Sequence, residues 1–206
     1  MNQPTDPRPV YAAATSWTAS LMERVAPDQL QNRTPCTELD VQALCGHLIG
    51  TARRAEGLAA GADIFAIDGF PAVHDAATYA DTVAHAIELW SDDAKLGAMV
   101  SVPWGTVPGA GALWGYVNET LVHGWDLAVA IGADPEADPA VVAPALAVAR
   151  QFISADIRGD DAVPFGPVVE PRDGAGLTEQ LANWSGRRSR ELGEARTLIR
   201  CRRHRR

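Results

Sequence analysis

The sequence has few cysteines, a single lysine and no long apolar run. Cys36, Cys45 and Cys201 are the only cysteines, an odd and sparse set that does not suggest a disulfide framework. Cys36 and Cys45 stand nine positions apart, which fits no common zinc-ligand spacing, so they read as small buried or half-buried thiols. No segment reaches the roughly 18–20 apolar residues of a membrane-spanning helix. Met1–Pro9 is polar and proline-rich, without the apolar stretch of a signal peptide; a cytoplasmic location is therefore expected. Also missing are a G-x-S-x-G turn, a glycine-rich phosphate loop ending in Lys-Ser/Thr, and a dinucleotide fingerprint. The glycines of 105–111 are read as lacking the flanking strand and helix such a loop requires.

What remains is an ordinary globular composition. The 206 residues are 47% apolar and 21% charged, enough for one domain with a sizeable core. The net charge of −8 hides an asymmetry: 1–186 carries 9 basic and 24 acidic side chains, whereas 187–206 carries 9 arginines and 2 glutamates. An acidic body argues against a nucleic-acid surface. Residues 187–206, with Arg196, Arg200, Arg202, Arg203, Arg205 and Arg206, read as a solvated or frayed basic tail after a domain spanning 1–186.

Apolar periodicity organises the domain into helices. Tyr11, Ala14, Leu21, Met22 and Val25 mark a helix over 8–25. Thr37, followed by Glu38 and Asp40, is the expected cap of a second helix that runs to about 58 and ends at Gly61. A third is expected over 76–95, and 97–111 is a loop or short hairpin shaping a pocket wall. Residues 112–132 form the fourth, closed by Gly132. Asp138-Pro139 opens a fifth, expected to reach about 157. An extended run at Val168–Val169 and a short helix over 177–184 follow.

Two of these helices carry polar residues on apolar faces. Glu119 and His123 are four apart, so they lie one above the other within the stripe Leu113, Tyr116, Glu119, Thr120, His123, Leu127. His47 sits among Leu44, Leu48 and Thr51 on the second helix. A carboxylate on a core-facing stripe is costly unless paired or bound to a cation, and two imidazoles with one carboxylate are a common zinc set. The alternatives are a hydrogen-bonded core histidine and a buried Glu–His pair. His85 with Glu88 is a rival pair, His74 falls in a loop, and His204 lies in the tail.

TPCTELDVQALCGHLIG (34–50) and NETLVHGWDLAVAIG (118–132) resemble the two metal-ligand segments of DinB-like and mycothiol-dependent maleylpyruvate isomerase-like proteins. FGPVVEP and LANWSGR, within 165–187, resemble that family's C-terminal end. The resemblance implies an all-α fold, a DinB/YfiT-like four-helix bundle with a long crossover, an extra C-terminal helix and short extended segments. It implies a divalent metal, zinc or nickel, held by His47, Glu119 and His123, with mycothiol as cosubstrate. Leu39 stands where the family usually has tryptophan. The full isomerase has a further C-terminal domain, which is expected to be absent here. The resulting expectation is a thiol-dependent enzyme performing transfer, conjugation or isomerisation on a small electrophile. Asp126 is a candidate for orienting a ligand, with a surface or capping role as its alternative. Trp104, Tyr116 and Trp125 are candidates for lining the pocket, with core packing as theirs. Rival readings are metal-assisted hydrolysis and a structural metal site. Bundles of this type often pair, so a homodimer is an open expectation.

Overall fold

The computed structural model describes residues 6–153, 158 and 166–188. Its helices are α1 (Arg8–Met22), α2 (Val41–Ala60), α3 (Ala76–Trp90), α4 (Asp93–Gly97), α5 (Gly109–Ile131), α6 (Pro139–Phe152) and α7 (Leu177–Trp184). One antiparallel hairpin, β1 (Met99–Val102) and β2 (Gly105–Pro108), pairs Val100 with Val107. Helices α1, α2, α3 and α5 close into a four-sided bundle in which α1 and α2 each touch both α3 and α5. Helices α6 and α7 pack on each other and on α5. The all-α expectation holds, including the C-terminal helix. No described helix is long and apolar enough to cross a membrane.

Helix α5 is the central element. Seventeen of its 23 residues are buried, because it is walled by the bundle on one side and by α6 and α7 on the other. Gly132 ends it at φ 72°, a left-handed conformation that glycine adopts without a Cβ penalty. Trp90 anchors α3 by donating its indole N–H to the Ala55 carbonyl of α2 at 3.0 Å.

Several boundaries differ from the expected ones. Helix α1 stops at Met22, three residues before Val25. The cap of α2 is Asp40, which accepts from the Ala43 N–H at 2.8 Å, and not Thr37. Residues 36–39 instead form a turn, with the Leu39 N–H bonded to the Cys36 carbonyl, and Asp40 bridges to Arg33. The helix expected over 76–95 breaks after Trp90, because Asp92 caps a new start by accepting from Ala94. The 97–111 segment is the hairpin of the two options. Strand β2 does lead directly into α5, contrary to the expected lack of a flanking strand and helix, but an antiparallel hairpin is no phosphate-loop unit. Helix α6 ends at Phe152; 154–157 lie outside the described residues, as do Cys201 and His204. Val168–Val169 forms no strand, although the Val169 N–H donates to the Asn183 carbonyl.

Candidate metal centre

His47 is carried by α2 and Glu119 and His123 by α5, and the three converge where those helices meet. Glu119 Oε2 lies 3.4 Å from His123 Nε2 and 3.8 Å from His47 Nε2. One ligand atom from each of the three lies within 4.8 Å of the others. Ligands about 2.0–2.1 Å from a tetrahedral metal stand roughly 3.4 Å apart, so the donor set and its spacing fit a divalent ion.

The far sides of both rings are tied down. His47 Nδ1 lies 3.2 Å from the Gly69 carbonyl oxygen. A carbonyl only accepts, so Nδ1 carries the proton and Nε2 faces Glu119. The loop reaches His47 because Gly46 and Gly50 flank it: a Cβ at Gly46 would lie 2.5 Å from the Pro71 carbonyl oxygen, and one at Gly50 2.5 Å from that of Gly69. His123 Nδ1 lies 3.0 Å from Asp126 Oδ2. Asp126 is fully buried at 0% exposure, and Arg187 Nε donates to both of its oxygens, at 3.1 and 2.9 Å. Asp126 is thereby a carboxylate acceptor, and His123 Nε2 is again the nitrogen turned to Glu119.

Electrostatics follow this geometry. Burial by itself would raise Glu119, but His123 and His47 more than offset it and hold its carboxyl well below the usual range. Burial would lower His123, yet Asp126 and Glu119 raise it to about 9. Cys36 also approaches His123 and Asp126. Burial pushes its thiol up despite Arg187 nearby, and the guanidinium on Asp126 opposes a second cation there.

Aromatic side chains contact His47 and Tyr116. Phe70 stacks on His47 with centroids 4.7 Å apart and remains 60% exposed. Trp104, at the hairpin turn, is 48% exposed and meets Tyr116 edge to face at 5.8 Å. Its ring lies against the α5 backbone at Gly115, where a Cβ would collide with it. Tyr116 is one turn before Glu119, and its buried hydroxyl has no hydrogen-bond partner among the described residues. Trp125 is buried two residues past His123, about 200° round α5 from it at 3.6 residues per turn. His85 pairs with Glu56 of α2 at 2.6 Å rather than with Glu88. His74 stays in its loop, bonded to the Ala72 carbonyl, and Leu39 packs, partly buried, on the core cluster that includes Leu44 and Leu48. Sequence reasoning missed Phe70, the Gly69 carbonyl and Arg187. The Gly46-x-x-x-Gly50 spacing around His47 was the one signal pointing to the loop.

The chain is thus a helical bundle with a His–Glu–His cluster, a candidate metal centre, between two of its helices. Residues 11–128 match the mycothiol maleylpyruvate isomerase N-terminal domain family, and the chain belongs to it. It is also similar to two uncharacterized Mycobacterium tuberculosis proteins, from strains CDC 1551 and H37Rv. Each is 32% identical over 187 residues, covering 88% of this chain and 98% of the relative. No solved structure matches.

Proposed function

We propose that the protein binds a divalent metal, zinc or nickel, through His47, Glu119 and His123, and uses a low-molecular-weight thiol, mycothiol, on a small electrophile. The carrying observation is that both Nδ1 atoms are occupied by acceptors while both Nε2 atoms face one carboxylate oxygen. Such outer partners fix the tautomer of ligating histidines. A divalent metal held there supplies Lewis acidity that deprotonates a thiol at neutral pH. Membership of a family described by mycothiol favours a thiol over water.

The chain's own groups shape what surrounds that position. Phe70, stacked on His47, and Trp104, packed on Tyr116, are the exposed aromatics that this reading assigns to the walls around it. Burial keeps the Tyr116 phenol protonated far above neutral pH, so its O–H serves as a donor to a substrate oxygen. Asp126 holds the His123 ring in place. The reaction is transfer, conjugation or isomerisation.

The test is metal analysis of the purified chain, then cobalt substitution and titration with mycothiol. The expected result is stoichiometric metal, lost in His123→Ala, with a cobalt spectrum perturbed by the thiol. Protein that cannot be loaded with zinc or nickel would sink the reading. A spectrum indifferent to mycothiol would favour water activation or a structural ion.

A further inference from the structure

Arg187 opens the segment expected to be a frayed basic tail, yet it is among the most constrained residues near the metal centre. Its N–H donates to the Ala182 carbonyl at 2.9 Å, and its carbonyl accepts from Asn183 Nδ2 at 2.9 Å. Both backbone groups are thus fixed to α7. Gly186, at φ 90°, makes the turn that brings the chain back, and it packs so closely on Gly166 that a Cβ would lie 3.0 Å from the Gly166 Cα. From this platform the side chain, 19% exposed, reaches Asp126 on α5.

A buried carboxylate without a partner is expensive. Asp126 sits between two donors from different parts of the chain, Arg187 Nε and His123 Nδ1. With the guanidinium absent, it can turn or admit water, and either releases the His123 ring.

We propose that Arg187 is a positioning residue of the metal centre: it holds Asp126 as an oriented carboxylate, which in turn keeps His123 Nε2 directed at the metal position. The inference rests on the metal reading above and extends it to the C-terminal segment, so that α7 and the turn after it belong to the machinery of the site.

Zinc affinity of the full chain, measured by competition with a chromophoric chelator, tests it. Arg187→Gln should weaken zinc about tenfold to a hundredfold, and Arg187→Lys should recover part of the loss. Asp126→Asn should weaken zinc similarly. Adding Arg187→Gln to Asp126→Asn should then change affinity by less than about twofold, because the two act in series. A purely structural arginine would lower the melting temperature and leave zinc affinity unchanged; that result, or full additivity in the double variant, overturns the inference. A second arm uses metal-free, 15N-histidine-labelled protein. The His123 Nδ1–H proton should be protected from exchange in the wild type and in Arg187→Lys, and lost in Arg187→Gln. Its persistence in Arg187→Gln also overturns the inference. A wild type that takes up no zinc defeats the metal reading, and the second arm still decides the role of Arg187.

Discussion

The rings of His47 and His123 meet edge to face, with centroids 4.8 Å apart and planes at 82°. Two imidazoles from different helices are held this close because Glu119 stands between their Nε2 atoms. Replacing that carboxylate removes both a proposed ligand and the anion the two rings share. Zinc at about one hundred times its dissociation constant should stabilise the wild type by about 2.7 kcal/mol, a rise in melting temperature of roughly 5–10 °C for a chain of this size. Glu119→Gln should show little or none of that rise. Thermal melts with zinc and with chelator check this; an undiminished zinc shift would remove Glu119 from the ligand set.

His123 gives the metal-free protein a pH dependence of definite sign. Its folded pKa, about 9, lies above the ordinary 6.5. Its contribution to stability is therefore complete below about pH 6.5 and is lost as pH rises through about 9. Glu119, shifted the other way, keeps its contribution throughout this window, since a depressed carboxyl loses stability only in acid. Urea midpoints in chelator should fall between pH 6.5 and 9, by the equivalent of 1–3 kcal/mol in order of magnitude. Zinc affinity should rise over the same interval, because the ligand nitrogens must be free of protons. His123→Gln should flatten the stability slope, and a slope unchanged in that variant would assign it to another group.

The bundle was legible because it rests on local periodicity, which also put the three candidate residues on apolar helix faces; their choice as a ligand set came from the family resemblance. Leu44, His47 and Leu48 share a face by spacing alone, as do Glu119 and His123. The breaks were less legible. Asp40 and Asp92 outcompete the caps and continuations suggested around them, since several acidic and hydroxyl residues nearby satisfy the same preference. What supports the triad was hidden for a different reason. The partners of His47 and Asp126 are Gly69, 22 residues away, and Arg187, 61 residues away. One is a backbone carbonyl with no residue signature, and the other belongs to an arginine-rich stretch whose composition suggested solvent.

Gly50 separates helix propensity from site geometry. Alanine is the better helix former by about 1 kcal/mol, so propensity alone predicts that Gly50→Ala stabilises the protein. The added Cβ would lie 2.5 Å from the Gly69 carbonyl oxygen, which is backbone and cannot swing aside. Overpacking of this kind costs about 1–3 kcal/mol, and it pushes away the acceptor that fixes His47. Gly50→Ala should therefore lower both the melting temperature and zinc affinity. A more stable variant with unchanged zinc affinity would show that the loop does not hold the ring.

Glu136 offers a perturbation remote from the metal that acts through α7. Its carboxylate receives the N–H groups of Thr178 and Glu179 at 2.9 and 3.1 Å, capping α7 from 42 and 43 residues away. Thr178 returns the contact by accepting from the Ala137 N–H at 3.0 Å. Gly176 leaves the room: a Cβ there would collide with the Glu136 carboxylate. Removing a charged cap costs about 1–2 kcal/mol, and here the cost falls on the segment that presents Arg187 to Asp126. Glu136→Ala should raise hydrogen exchange across 166–188 while α1, α2 and α3 stay protected. Zinc affinity should fall, but by less than in Arg187→Gln, because the arginine is still present and only its platform has loosened. Hydrogen-exchange mass spectrometry and the chelator assay, run on the same preparations, check both halves; faster exchange spread evenly over the bundle would mean that Glu136 supports the fold as a whole rather than the approach of Arg187 to Asp126.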